Sequence, residues 1–168
     1  MKFIKELQES IKSHSTNNSL CINNVFYTYQ DLSIEIDKVR AVIVNKVHDS
    51  DKLVGLVAHD DLQTYASILA LWFEGKAFVP INPSTPEERN LQVLELTQTK
   101  YIIDSKQSFV FDNYEIITPV TSTEININPN LGLREVLGDE LAYILFTSGT
   151  TGTPKGVPIT FNNVYALV

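Results

Sequence analysis

Apolar residues occur along the chain either at helical spacing or in short continuous runs. The alternation of these two patterns predicts a series of helices and strands. Helical spacing predicts helices over residues 2–13, from Thr28 to about Val47, from Asp60 or Asp61 to Gly75, and from Pro86 onward. Short apolar runs predict strands at 53–58, 78–81, 101–103, 114–118 and 142–147, and residues 20–27 predict a hairpin turning at Asn23 and Asn24. Strands that alternate with helices imply right-handed βαβ units, so we predict an α/β fold with a mostly parallel sheet.

The helix that begins near Asp61 carries most of the large apolar side chains of the predicted core. Its spacing predicts a buried face made of Tyr65, Ile68, Leu69 and Trp72. Phe73 and Phe78 are also interpreted as core residues. The Asp60-Asp61 pair is better explained as a helix cap than as a general acid/base pair.

A polar segment follows the last predicted strand and concentrates the groups that could carry chemistry. It contains three glycines, five hydroxyl side chains and one lysine within ten residues: Thr147, Ser148, Gly149, Thr150, Thr151, Gly152, Thr153, Pro154, Lys155 and Gly156. The preceding strand would place it at the carboxyl edge of the sheet, where open α/β sheets bind ligands. Glycines let backbone N–H groups approach an anion, hydroxyls add donors and Lys155 adds positive charge. This composition favours binding of a polyphosphate.

Two other interpretations of this segment compete with the one above: a Walker-type phosphate loop and a surface turn that binds no ligand. A Walker-type phosphate loop requires G-x-x-x-x-G-K-[ST], but Pro154 stands where its second glycine belongs and Gly156 follows Lys155. The hydroxyl that would hold magnesium is therefore missing, which argues against that class of site. A flexible surface turn without a ligand stays open, because composition alone does not establish binding.

Length, composition and charge narrow the class of protein. The chain has 168 residues, of which 43% are hydrophobic, as expected for one globular domain. Its formal net charge of -7 argues against a nucleic-acid partner and against an anionic membrane surface. No apolar run is long enough for a membrane span, and the first residues turn polar too soon for a signal peptide, so we expect a cytoplasmic protein. The single cysteine, Cys21, excludes an intrachain disulfide and is interpreted as a half-buried strand residue.

The segment from Leu141 to Val157 closely resembles the phosphate-loop motif of the adenylate-forming superfamily. That superfamily includes acyl-CoA synthetases, amino-acid adenylation domains of peptide synthetases, D-alanine-activating ligases and luciferases. Two further stretches resemble its motifs in the expected order: residues 26–32, FYTYQDL, resemble the "TYxEL" element, and residues 71–83 resemble "LKAGxAYVPxDP". The resemblance runs from about residue 20 to the end of the chain.

The resemblance implies a reaction and a role for each residue of the loop. Residues Ser148 to Thr153 would wrap the β- and γ-phosphates of ATP, with Thr147 and Gly156 at the flanks of the site, and Lys155 would help to neutralise the departing pyrophosphate. A carboxylate would attack the α-phosphorus to give an acyl-AMP, followed by acyl transfer to a thiol of CoA or of a carrier-protein phosphopantetheine. The style of the loop leans toward amino-acid activation. Mg²⁺ is implied by the family.

The same resemblance implies that residues 1–168 are a partial N-terminal subdomain of an adenylation domain. The adenine and ribose contacts, the acidic magnesium ligand, the acyl pocket and the catalytic lysine of the small domain lie downstream in this superfamily. We therefore expect the isolated chain to be inactive, and apolar surface around Val164 and Leu167 to favour self-association. The alternative is a stand-alone, non-catalytic module that binds nucleotide weakly or serves only in interactions.

The remaining candidates carry weaker signals. Arg89 is interpreted as a helix-surface residue or the partner of an inter-helix ion pair. His14, His48 and His59 share no metal-like spacing. His59 stands at the end of a predicted strand, where a functional role can arise. Phe161 departs from the histidine that is common there in relatives, which puts in doubt any contact such a histidine would make to the acyl pocket.

Overall fold

Five helices and eight strands make up the described part of the chain. The computed structural model describes residues 2–109, 111–119, 131–148 and 154–167. The helices are α1 Lys2–Ser13, α2 Tyr29–Lys46, α3 Leu62–Phe73, α4 Glu87–Thr97 and α5 Phe161–Tyr165. The strands are β1 Asn18–Ile22, β2 Val25–Thr28, β3 Leu53–Val57, β4 Ala77–Ile81, β5 Tyr101–Ile103, β6 Glu115–Ile117, β7 Leu141–Ser148 and β8 Pro154–Thr160.

A six-stranded sheet in the order β6-β5-β3-β4-β7-β8 forms the centre of the fold. β6, β5, β3, β4 and β7 run parallel to one another, and β8 pairs antiparallel with β7. β1 and β2 form a separate antiparallel hairpin. The prediction of an α/β fold with a mostly parallel sheet is therefore confirmed.

Apolar side chains cover both faces of the sheet, as the continuous apolar strands require. On one face, Val54, Phe78 and Ile103 join a core with residues of α1, α2, α3 and α5. On the other face, Val79 and Ile102 join a second core that includes Val93 and Leu94 of α4 and also Phe111. Helices on both faces make this a doubly wound sheet.

The direction of winding reverses at the boundary between β3 and β5. From β3 the chain passes through α3 to β4, on one side of β3, and then returns through α4 to β5, on the other side. From β5 it continues outward to β6, away from β3. The connections that leave β3 and β5 therefore diverge, which makes their carboxyl ends the topological switch point of the sheet.

Side-chain caps fix the starts of three helices. Thr28 and Asp31 form a capping box at α2, and Thr160 and Asn163 form a second one at α5. At α3 the Asp61 carboxylate accepts a hydrogen bond of 2.8 Å from the backbone N–H of Thr64. The prediction that Asp61 acts as a cap is thus confirmed, and Gly75, at a φ of 63°, follows the end of α3 as predicted.

A buried arginine fastens the segment that leads into β7. Arg40, of which 2% is exposed, donates from Nε to Glu74 Oε1 at 2.7 Å. Its Nη2 donates to the carbonyl oxygens of Leu131 and Gly132, at 3.1 and 2.6 Å. The buried positive charge of Arg40 is thus paired with the negative charge of Glu74, and a buried ion is tolerated only when it is paired and hydrogen-bonded in this way. The contact holds residues 131–132 against α2 and the end of α3.

Several details of the predicted elements were wrong. β8 was not predicted, because Pro154, Gly156 and Pro158 lower the strand propensity of its sequence. Tyr65 is 37% exposed and donates its hydroxyl to Asp60, since α3 buries other positions, among them Ala66, Ala70 and Leu71. Cys21 lies in β1 but is exposed rather than half-buried.

Trp72, Phe73 and Phe78 lie in the core as predicted. Leu167 is 83% exposed, and Val164 is partly buried against the core. Within the described ranges, no helix is both long enough and apolar enough to cross a membrane.

Candidate functional site

The strand β7 ends at the carboxyl edge of the sheet, where the candidate loop begins. β7 lies beside β4 and parallel to it, with Tyr143 in register with Phe78. The rings of these two residues stack with centroids 5.4 Å apart, and Ala142 is fully buried. Because β7 and β4 are parallel, the chain leaves β7 at the same edge as it leaves β4 and β3.

The hairpin of β7 and β8 holds the two flanks of the candidate loop face to face. Ser148 pairs with Pro154, Thr147 with Lys155 and Phe146 with Gly156. The Thr147 hydroxyl lies 3.5 Å from the carbonyl oxygen of Lys155, at the long limit of a hydrogen bond. The antiparallel pairing therefore places Thr147 and Lys155 side by side at the base of the loop.

Both of these side chains are exposed. Thr147 and Lys155 share one face of the hairpin with Leu145 and Val157, because alternate residues of a strand share a face. Among the described residues, no carboxylate forms an ion pair with Lys155. Within the described part of the chain, Lys155 thus presents a positive charge without an ion-pair partner, beside a hydroxyl at the carboxyl edge of the sheet.

The need for glycine at position 156 can be explained by packing as well as by the predicted phosphate contact. A Cβ on Gly156 would lie 3.0 Å from Cζ of Phe146 and 3.2 Å from Cγ2 of Ile144. The absence of a side chain lets these two residues lie across β8. This explanation is independent of a ligand and does not exclude one.

Most of the predicted phosphate loop lies outside the described residues. Gly149, Thr150, Thr151, Gly152 and Thr153 fall there, as does the side chain of Ser148, whose backbone belongs to β7. Their assignment to ATP stays a prediction. The predicted residues that the structure does bring together are Thr147, Lys155 and Gly156.

A second polar cluster lies at the carboxyl ends of β3 and β5. His59 Nε2 lies 2.9 Å from Oδ1 of Asp104, and Asp104 is fully buried. The same carboxylate accepts backbone N–H bonds from Lys106, Ser108 and Phe109, at 3.0, 2.7 and 3.2 Å. It also accepts the Ser108 hydroxyl at 3.0 Å.

Burial alone would raise the pKa of Asp104. The hydrogen bonds from His59, from the Lys106 and Phe109 amides and from Ser108 outweigh burial, so the pKa lies below its ordinary value. Asp104 is therefore ionised at neutral pH, which makes it an acceptor for each of these groups. Beside it, Asp61 caps α3 and accepts the Ser105 hydroxyl at 2.7 Å.

Sequence reasoning noticed His59 but missed Asp104. The two residues are separated by 45 positions and meet only because β3 and β5 are neighbours in the sheet. The available signal was that both follow buried strands that end at the same edge. Arg89 is half-buried, and the described residues include no ion-pair partner for it, so the predicted ion pair is not found there.

Comparison with known proteins decides the family. The sequence profile described as AMP-binding enzyme matches residues 7–168. The chain belongs to the AMP-binding enzyme family. The resemblance noted from residues 26–32, 71–83 and 141–157 is thereby confirmed.

The relatives of this AMP-binding chain include nonribosomal peptide synthetases. It is 30% identical over 169 residues to Nonribosomal peptide synthetase 2 of Gibberella zeae, covering 95% of this chain and 4% of that protein. In fold it is similar to the N-terminal subdomain of NpsA from Klebsiella oxytoca, with a TM-score of 0.78, 24% identity, and coverage of 93% and 41%. It is also similar to the nonribosomal peptide synthetase FmoA3 in an AMPPNP-bound form, with a TM-score of 0.81, 18% identity, and coverage of 98% and 18%. The chain thus spans a small part of the relatives it matches.

Proposed function

We propose that this chain supplies the N-terminal part of an adenylation domain, which activates an amino acid with ATP and passes it to a carrier-protein thiol. The observation that supports the proposal most directly is the β7–β8 hairpin, with Thr147 and Lys155 side by side at the base of the glycine- and hydroxyl-rich segment. The similarity to peptide synthetases, and the AMPPNP named for FmoA3, support the choice of ATP and of an amino acid.

The proposed chemistry is dominated by charge. A carboxylate oxygen of the amino acid attacks the α-phosphorus of ATP, and pyrophosphate leaves. Negative charge accumulates on the β- and γ-phosphates as the bond breaks, so donors fixed at that position lower the barrier. In this proposal, residues Ser148 to Thr153 donate to the phosphates, and Lys155 supplies the balancing cation.

The chain's acidity makes the position of this lysine important. With a net charge of -7, the protein as a whole repels a nucleotide. Lys155 can attract one only because, among the described residues, no carboxylate competes for it. Mg²⁺ would normally accompany ATP, but the described residues include no group of three or more histidine, cysteine or acidic side chains that could hold a metal. Its protein ligand is proposed to lie outside this part of the chain.

The test is the ATP–pyrophosphate exchange rate of the complete polypeptide that carries this sequence, measured with each amino acid in turn. We predict that Lys155→Ala lowers the exchange rate about 10²-fold, the usual effect of removing one donor to developing negative charge. The circular dichroism spectrum should not change, because Lys155 is exposed. Lys52→Ala is the matched control, since Lys52 is an exposed lysine just before β3, at the opposite edge of the sheet.

Exchange by Lys155→Ala at the wild-type rate would remove the assigned role of this residue. Exchange that requires a fatty acid or another carboxylate instead of an amino acid would leave the ligase reaction in place and change its substrate. The 168-residue chain by itself is predicted to show no exchange, and robust exchange by it would contradict that part of the proposal.

A further inference from the structure

The β3/β5 boundary is the topological switch point of this sheet, and it lies apart from the strand that leads to the phosphate loop. The connections leaving β3 and β5 diverge, and open α/β sheets commonly bind ligands outside the carboxyl ends of the strands at such a reversal. His59 follows β3 and Asp104 follows β5, so their contact of 2.9 Å joins the two strands at this boundary. β4 alone separates β3 from β7, so these two strands lie about 10 Å apart, and β5 lies one strand farther from β7.

The hydrogen bonds of Asp104 determine which nitrogen of His59 carries a proton. Asp104 is ionised and can only accept, so His59 Nε2 must be the donor in their contact. In the neutral ring the other nitrogen, Nδ1, then has a free lone pair. Backbone amides of residues 106, 108 and 109 hold the carboxylate in place, and through it they hold the imidazole ring.

Nδ1 of His59 forms no hydrogen bond with any described residue. It is also not one of the fully buried, unpaired side-chain atoms of these residues, among which only Thr64 Oγ1 is found. The side chain is 7% exposed, so only a small part of the ring is accessible. A carboxylate-oriented imidazole with an accessible lone pair is the arrangement of a general base.

The neighbouring serine does not complete a nucleophilic triad. Ser108 Oγ lies 3.2 Å from Nε2 of His59, the nitrogen already engaged by Asp104, and it donates to Asp104 itself. In a Ser-His-Asp triad, the serine and the acid contact opposite nitrogens of the ring. Ser108 is thus a structural partner, and the base would act on a group that arrives from outside.

We propose that His59 is a general base for the acceptor thiol, with Asp104 as its positioning residue. The inference rests on the proposed function, because it needs an aminoacyl-AMP at the same edge of the sheet. Nδ1 takes the proton of the thiol S–H group, and the sulfur attacks the acyl carbon. The new C–S bond forms as the C–O bond to AMP breaks, the electron pair leaves on the phosphate oxygen, and the imidazolium then releases its proton to water.

Among the described residues, Asp60, Asp61 and Lys106 are the ionisable groups next to the pair in the chain or in contact with its neighbours. Asp60 accepts the Tyr65 hydroxyl at 3.1 Å, and Asp61 is engaged by the Thr64 amide and by Ser105. Lys106 lies in the loop after β5 and raises the positive potential near Asp61. Because both aspartates have their own partners, Asp104 is the carboxylate that orients His59.

The decisive experiment measures adenylation and thiol loading separately in the complete polypeptide. His59→Gln retains an N–H donor for Asp104 but removes the base. We expect it to lower the rate of thioester formation about 10²-fold at neutral pH, within the usual range for general-base catalysis, and to leave ATP–pyrophosphate exchange within twofold. Without this base, loading by His59→Gln depends on thiolate formed in solution, so its deficit relative to the wild type should shrink as the pH rises toward the pKa of the acceptor thiol. His48→Gln, at the opposite edge of the sheet, is the control and should load normally.

Loading by His59→Gln within threefold of the wild-type rate would overturn the role of His59 while leaving the ligase function intact. Absence of exchange by the wild type with every amino acid would overturn both. A third readout needs only the 168-residue chain: nitrogen NMR of its histidines should show His59 protonated on Nε2, and Asp104→Ala, which removes the acceptor, should remove that preference. A ring protonated on Nδ1 alone would refute the inference whatever the activity.

Discussion

The carboxyl edge of the sheet carries two polar groups that are organised in opposite ways. At the ends of β3 and β5, Asp104 is fully buried and accepts hydrogen bonds from four residues. At the end of β7, Thr147 and Lys155 are exposed, and the described residues give Lys155 no ion pair. The first group is rigid before any ligand arrives, whereas the side chains of the second are free to engage one.

The strands that carry these two groups also differ in how deeply their side chains are buried. Val54 of β3 and Ile102 of β5 are fully buried, since helices or loops cover both faces of the sheet there. Leu145 of β7 and Val157 of β8 remain 44% and 41% exposed. Substitutions in the centre should therefore affect stability, and substitutions in the hairpin should mainly affect function.

The largest effect on stability should come from Asp104→Asn. The amide cannot serve all the donors that now meet the carboxylate, and its own N–H groups would face backbone N–H groups. We expect a loss of about 3 kcal/mol in the free energy of unfolding, since each buried donor left unpaired costs about 1–3 kcal/mol. Urea denaturation at pH 7 measures the loss, and a change below about 1 kcal/mol would show that the loop after β5 adapts easily.

The pH dependence of this loss follows from the lowered pKa of Asp104. A carboxyl group whose folded-state pKa lies below its ordinary value of 3.8 stabilises the protein above that value, and the stabilisation is lost as the pH falls through the folded-state pKa. The difference between wild type and Asp104→Asn should thus be largest at neutral pH and should shrink in acid. A difference independent of pH would argue that the effect is steric.

Two glycines, one in each region, allow the same comparison with smaller expected losses in the free energy of unfolding. A Cβ on Gly55 of β3 would lie 3.1 Å from Ile102 Cγ1 and 3.2 Å from Leu94 Cδ2, inside the core. On Gly156 of β8 it would meet the Phe146 ring at 3.0 Å, at the edge of the sheet. Overpacking in a core costs about 1–3 kcal/mol, so Gly55→Ala should destabilise by about 2 kcal/mol and Gly156→Ala by less than about 1 kcal/mol. Equal losses in thermal or urea unfolding would mean that Phe146 is held as firmly as the core.

The smallest effect should come from Leu145→Thr. Leu145 is exposed and threonine suits a strand, so the free energy of unfolding should change by no more than about 0.5 kcal/mol. The same substitution removes apolar surface next to Thr147 and Lys155. If light scattering finds the 168-residue wild type self-associated and the variant less so, this face contributes to the association; if both behave alike, it does not.

Local patterns predicted most of the fold, because most elements here obey local rules. The α2 helix begins at its Thr28 capping box, and β1 and β2 join at Asn23 and Asn24, whose φ angles of 50° and 63° are those of a tight hairpin turn. β8 escaped prediction because it exists through pairing with β7 rather than through its own propensity. Tyr65 was misplaced because helical spacing does not tell which of two apolar faces is covered.

The two polar groups also differ in how far the sequence alone could predict them. The segment around Lys155 could be found in the sequence because its glycines, hydroxyls and lysine are contiguous. The pairing of His59 with Asp104 could not, since it depends on β5 inserting beside β3 and on a loop that turns three amides toward one carboxylate. Sequence showed the first group and only half of the second.

The prolines of β8 bear on how this protein avoids aggregation. Among the described strands, none pairs with the outer side of β8. Pro154, Gly156 and Pro158 share one parity along the strand, and proline in a sheet turns its nitrogen away from the neighbouring strand. Of these three positions only Gly156 can donate an N–H group outward. The outer side of β8 therefore offers a β-strand of another chain an incomplete row of N–H donors, a feature that disfavours pairing between sheet edges.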